Sequence, residues 1–214
     1  MTVLTQTPAD RAIRDCVAPL LPARTSMVRL RLLGTDVLLF HRLVRDEHQR
    51  REAAAAEPVN SMGALQVLHA LPAGLPVPLE TLTRPEQAEV RRLPSGAARV
   101  TARTVTRSAV RPLAVDLAVA RATRTRHPLE AAGQFAPFCR RAILLKQPPV
   151  RHDDLVLEAA LYGIGVLAQD RGGIRLLLAP AEHRPQRHTA AAWHFVEDLY
   201  ERLSPRTEPD ATVS

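Results

Sequence analysis

Residues 27–33, MVRLRLL, alternate between apolar and polar positions, which predicts a strand. Ahead of it, residues 1–25 are mixed, with Pro8, Pro19 and Pro22, and leave room for a short helix around Asp10–Ala18. From Thr35 the pattern changes: TDVLLFHRLVRDEHQRREAAAAE has apolar residues at 37, 40, 43 and 44, so a helix capped by Thr35 or Asp36 is expected. Residues 62–71 predict another helix, PAG a turn, 78–84 a short second helix, and 86–93 either a helix or a strand. PSG (94–96) is a turn, and AARVTARTVTRS reads as strand. Helix, turn, helix and strand pair with a basic tip has the outline of a small winged helix-turn-helix; a plain helical connector is the alternative.

Beyond residue 99 the alternation runs through Val100, Ala102, Thr104 and Thr106 and then into the apolar run PLAVDLAV, giving two strands. HPLEAAGQFAPFCRRA suits a helix weakened by Gly133 and Pro137. AILL (142–145) fits a buried parallel strand. RHDDLVLEAALYG continues as a helix to about Tyr162, with Asp153 or Asp154 as its cap. GIGVLAQDRGGIRLLLAP is a hairpin turning at DRGG, and TAAAWHFVEDLYERL is an amphipathic helix capped by Thr189. The expected organisation is an N-terminal segment (1–34), a mainly helical part (35–98), an α/β domain with a mixed sheet flanked by helices (99–203) and a disordered polar tail (204–214).

Composition sharpens this picture. Aromatic residues make up only 3%, so Leu, Val and Ala must fill the core of the 214-residue chain. Of 29 basic residues all but Lys146 are arginine, and the formal net charge is +7. Codon bias explains the preference for arginine but not the excess of base over acid, which points to a polyanionic partner. Cys16 and Cys139 match no metal-ligand spacing and read as free thiols. No signal pattern and no long apolar run is present, so a cytoplasmic location without membrane contact is expected.

Arg84, Arg91, Arg92, Arg99, Arg103 and Arg107 concentrate around the proposed turn-helix, wing and following strand. Their guanidinium forks suit phosphate oxygens. On a continuous strand Arg99, Arg103 and Arg107 would share one face. The absence of interleaved aromatics argues against stacking on single-stranded bases and in favour of duplex DNA. Trp193 and Tyr200, seven apart on the last helix, form a stripe suited either to core packing or to a protein partner. Asp154 with Glu158 is read as helix-start chemistry. Glu182, His183 and His188 are read as a basic loop rather than a metal site, and His41 and His48 as exposed helix positions.

Five stretches carry a resemblance: VDLAV (115–119), QFAPF (134–138), AILL (142–145), LVLEAALYGIGVL (155–167) and GIRLLLAP (173–180). In this order they resemble the second half of the restriction-endonuclease-like fold, the PD-(D/E)XK nuclease superfamily. The resemblance covers about 70 residues and rests on element order and short motifs. It implies carboxylates holding Mg²⁺ and a lysine beside the attacking water. Asp116 matches the motif carboxylate, but Ala118 stands at the lysine position. The strand VTARTVTRS before it offers no metal-binding aspartate, with Glu86 or Glu89 left as the upstream carboxylate. Gln134 and Phe138, four apart, would share a helical face, Gln134 orienting substrate or site groups.

The resemblance therefore implies a nuclease-like domain with Asp116 as a remnant, no bound metal and no cleavage. The expected function is a DNA-associated accessory protein of a repair, defence or regulatory complex. A scaffold subunit binding a protein partner is one alternative. An active Mg²⁺-dependent nuclease with an atypical site is the other.

Overall fold

Thr7 and Asp10 start the first helix: the Thr7 amide and hydroxyl both donate to Asp10 Oδ2, at 2.6 and 2.9 Å. In this computed structural model the described residues are 2–32, 34–121, 127–146, 152–184 and 188–203. The expectation of a disordered tail at 204–214 lies outside them, as does the side chain of Asp153. No described helix is long and apolar enough to cross a membrane.

The chain runs through strand β1 (Thr2–Leu4), helix α1 (Pro8–Val17), β2 (Ser26–Leu32), β3 (Thr35–Leu43), α2 (Arg45–Ala53) and α3 (Met62–Ala70). It continues with β4 (Pro76–Pro78), α4 (Arg84–Val90), β5 (Ala98–Val100), β6 (Thr104–Arg107) and β7 (Leu113–Arg121). The last elements are α5 (Pro128–Gly133), β8 (Arg140–Leu145), α6 (His152–Leu161), β9 (Gly165–Asp170), β10 (Gly173–Leu178) and α7 (Ala190–Leu203). The chain divides into two compact units, one drawn from residues 1–42 and 114–187, the other from 43–113 and 188 onward.

The first unit is built on a seven-stranded sheet of order β1-β2-β3-β7-β8-β9-β10. β1, β2 and β3 pair antiparallel in succession, β7, β8 and β9 run parallel, and β10 returns antiparallel to β9. This is the expected α/β class, a mixed sheet flanked by helices, but three of its strands, β1, β2 and β3, come from ahead of the segment 99–203 to which the sequence pattern assigns the sheet. Alternate residues of the central strands go to opposite faces. Leu38, Phe40, Leu117, Val119, Ala142, Leu144 and Leu167 pack with Ile13 and Val17 of α1. Ala120, Ile143, Leu145 and Val166 pack with Leu129, Ala131 and Ala132 of α5 and Ala159 of α6.

That two-sided cover explains the main correction. Residues 35–43 are a strand, not the start of a helix. Val37, Leu38, Leu39 and Phe40 are all buried, because a central strand needs apolar residues on both faces and so loses its alternation. The apolar positions 37, 40, 43 and 44 mimic a helical period across what is a strand followed by α2. A second correction falls at Gln134. Helix α5 ends at Gly133 and the chain continues in turns, with Phe138 N–H donating to the Phe135 carbonyl (3.0 Å). Gln134 and Phe138 therefore share no helical face, and Phe135 rather than Phe138 enters the core. Gly133 and Pro137 cut the helix short.

In the second unit a three-stranded sheet of order β4-β6-β5 packs its Val105 with Val67, Leu71 and Val90. The helix expected at 78–84 is instead β4 followed by a 3-10 turn, Leu79–Thr81. Pro76 and Pro78 lack the amides a helix interior needs. The following helix waits for a capping box, in which the Thr83 amide donates to Glu86 Oε2 at 2.7 Å. The strand expected over 99–107 is broken by a turn at 101–103, closed by the Thr101 amide on the Thr104 carbonyl (2.8 Å). Gly96 has φ +77° and lies so near Ala56 that a Cβ would approach its methyl to 2.4 Å.

Candidate nucleic-acid interface

The arginines singled out from sequence divide in two. Arg84 opens α4, Arg91 and Arg92 follow its end, Arg99 lies on β5 and Arg103 in the hairpin turn; all five are exposed. The Leu79 amide donates to the Arg103 carbonyl (2.8 Å), which ties the hairpin turn to the segment leading into α4. Among the described residues the one ion pair involving these five is Arg92 with Glu89 at 3.4 Å, and such an exposed contact is worth little. Glu86 is turned to the Thr83 hydroxyl and amide, which hold its carboxyl below the ordinary value.

Arg107 belongs elsewhere. Ala98 pairs with Arg107 and Val100 with Val105, so Arg107 shares the face of Val105, which is buried. Its Nη1 donates to the Leu68 carbonyl at 2.8 Å, and its guanidinium carbon lies 5.5 Å from the centre of the Trp193 ring. Arg99, Arg103 and Arg107 thus do not line one strand face, because the hairpin turn comes between them.

Trp193 and Tyr200 are interior residues of the second unit. Trp193 Nε1 donates to Glu197 Oε1 (2.8 Å), and Glu197 takes both Nη1 and Nη2 of Arg51 at 2.7 Å. Arg51 Nε donates to Glu47 Oε1 (2.7 Å), and Glu47 also receives two bonds from Arg50. Burial pushes the Glu47 carboxyl up, but Arg50 and Arg51 outweigh it and hold it below its ordinary value. Tyr200 lies under the Arg51 guanidinium, 5.1 Å from ring centre, and its hydroxyl is 2.8 Å from His48 Nδ1. His48 is therefore an internal partner. His41 lies on β3, not on a helix, and burial holds it below its ordinary pKa.

Asp116 sits one residue ahead of the β7–β8 register, which begins at Leu117 with Arg140. Its carboxylate is gripped by Arg42, with Nε on Oδ2 and Nη2 on Oδ1, both at 2.9 Å. The Thr25 hydroxyl stands 3.3 Å from the same Oδ2. A bidentate guanidinium satisfies a carboxylate that would otherwise be costly to bury. The sheet neighbour of β7 is β3, not the hairpin strand, and β3 does carry an aspartate. Asp36, however, is six residues from Arg42 along that strand, roughly 20 Å at strand rise. It is paired with Arg29, Nη2 to Oδ2 at 2.6 Å. Ala118 is fully buried. Among the described residues no group of three or more His, Cys, Asp or Glu side chains could hold a metal ion.

The remaining sequence candidates are scattered. Glu182 pairs with Arg184 at 2.9 Å, His188 faces Arg111, and Asp154 and Glu158 are exposed on α6. Sequence reading overlooked Arg42 as the partner of Asp116. No local pattern announces it, because the two are 74 residues apart. It likewise overlooked Arg111, whose sole hint was its place in the arginine-rich run before β7. Family models, curated proteins and solved structures were compared with the chain, and none matches. Fold and side-chain chemistry alone support a functional reading.

Proposed function

We propose that this protein binds duplex DNA without cleaving it, as an accessory member of a repair, defence or regulatory complex. The observation that carries this reading is the set Arg84, Arg91, Arg92, Arg99 and Arg103, all exposed at the start of α4, just past its end and on the β5–β6 hairpin of one unit. Five guanidinium groups with one weak internal pair are available to phosphate oxygens. The succession of α3, α4 and a hairpin with Arg103 at its turn supports a winged-helix-like use of this unit. The succession of β7, α5, β8, α6, β9 and β10 accords with the element order of the nuclease-like resemblance. Asp116 held by Arg42, with Ala118 in place of lysine, supports a non-catalytic role.

The test is fluorescence anisotropy with a labelled duplex across a salt series. Replacing Arg99 and Arg103 by Gln should flatten the slope of log affinity against log salt by about 2, one unit per lost phosphate contact. An unchanged slope would remove the wing arginines from the interface.

A second reading, a scaffold subunit, is favoured by one observation. Leu157, Leu161 and Tyr162 around the end of α6 are 69%, 80% and 55% exposed, and the two leucines share a helical face. Loss of a co-purifying protein on Leu157→Ser with Leu161→Ser, DNA binding being intact, would favour it.

A further inference from the structure

The second unit contains a cavity of about 510 Å³ lined by His69, Arg107, Val110, Arg111, His188 and Trp193. Four of these six side chains are basic and none is a carboxylate. Arg107 and Arg111 are each partly buried, and burial alone pulls both guanidinium groups below their ordinary pKa. Neither makes a salt bridge among the described residues. Arg107 Nε is buried with no acceptor there. Arg111 makes two long contacts, Nη1 3.3 Å from His188 Nδ1 and Nη2 3.4 Å from the Thr189 carbonyl. Glu197 is turned instead to Arg51 and the Trp193 indole, and its salt bridge among the described residues is with Arg51.

Partly buried cations without a counter-ion are costly, and a ligand that supplies the missing anion recovers that cost. Two forks and two imidazoles around one opening match an oxyanion with several oxygens and more than one charge. The volume is within the range of small-molecule sites and exceeds what an inorganic ion fills. Val110 and the Trp193 ring supply apolar wall for an organic portion.

We propose that this cavity binds a phosphate monoester, with Arg107 and Arg111 holding the phosphate. The monoester belongs to a free small molecule; the backbone phosphate of nucleic acid, a diester with one charge, is the contrasting source of the same group. Trp193 is the chain's single tryptophan, so its emission reports the site directly. The protein is titrated with inorganic phosphate, with ribose 5-phosphate and with a short DNA duplex, against chloride at matched ionic strength. The expected result is a saturable change in Trp193 emission with ribose 5-phosphate and, more weakly, with inorganic phosphate. Arg111→Gln should weaken it about tenfold or more while the urea midpoint stays near wild type.

A response to the duplex alone would overturn the small-molecule site. A response equal to that of chloride, or one unchanged in Arg111→Gln, would overturn it as well. Where Arg111→Gln lowers the urea midpoint, the conservative Arg111→Lys takes its place. The duplex arm separates this site from the DNA reading: small phosphates can bind where the duplex does not, and the reverse.

Discussion

Removing the Glu197 carboxylate should destabilise the second unit more than removing the Asp116 charge destabilises the first. Glu197 is fully buried and Arg51 is 5% exposed, so their two 2.7 Å bonds are made away from water. Breaking such a pair from one side costs about 3–5 kcal/mol, because the surviving charge stays buried. Arg51 keeps Glu47, which places Glu197→Ala near the lower end, while the lost Trp193 Nε1 acceptor adds about 1 kcal/mol. The expected loss is therefore roughly 3–4 kcal/mol out of a typical total of about 5–15. Urea unfolding followed by Trp193 emission measures it. The double replacement Arg51→Met with Glu197→Leu should cost far less than the sum of the single changes, since both charges leave together and Glu47 retains Arg50. A loss below about 1 kcal/mol for Glu197→Ala, or strict additivity in the pair, would refute the network as drawn.

Three further expectations are independent of it. Cys139 is fully buried with its thiol pushed up to about 12, chiefly by burial, whereas Cys16 is only partly buried. A thiol reagent at neutral pH should label Cys16 in the folded protein and Cys139 only on unfolding, as mass spectrometry of the labelled peptides can show. His41 titrates below its ordinary 6.5, mainly through burial, so the unfolded chain takes up its proton first as pH falls. The stability His41 contributes while neutral is full above pH 6.5 and declines as pH drops below it. A His41→Gln variant should show a flatter urea midpoint between pH 7 and pH 5.5, values bracketing that titration at about its ordinary range. Asp116→Asn should cost about 1 kcal/mol, because the bidentate bonds are charge-assisted but Arg42 is 40% exposed and screened. Its thermal midpoint, and that of wild type, should not rise with Mg²⁺; a rise in wild type that the substitution abolishes would make Asp116 a metal ligand after all.

Local signals were legible wherever a single element decides its own geometry. The DRGG turn, the Thr189 cap and the run AILL each became the element expected, since turn chemistry, capping and short apolar runs act over a few residues. Residues 35–43 were not, because burial on both sheet faces erases the alternation that marks a strand. The spacing of Arg99, Arg103 and Arg107 misled for a related reason: a shared face requires an unbroken strand, and the turn at Thr101–Arg103 intervenes. Charge partners were the least legible. Arg51 finds Glu197 across 146 residues and Arg42 finds Asp116 across 74, distances at which the fold alone brings side chains together. Asp116 thus looked like the remnant of a metal site from its strand, and its guanidinium partner could be seen only in three dimensions.

We propose that exposed arginines of the second unit bind duplex phosphate and that Asp116 performs no chemistry. The most direct measurement is duplex affinity of the full chain in Mg²⁺ buffer at low and at physiological salt, with the DNA recovered and sized afterwards. Affinity should fall by an order of magnitude or more as salt rises, at about 0.9 log unit per phosphate contact, and the DNA should keep its length. Salt-independent or absent binding, or a duplex cut in wild type and spared by Asp116→Asn, would contradict this proposal.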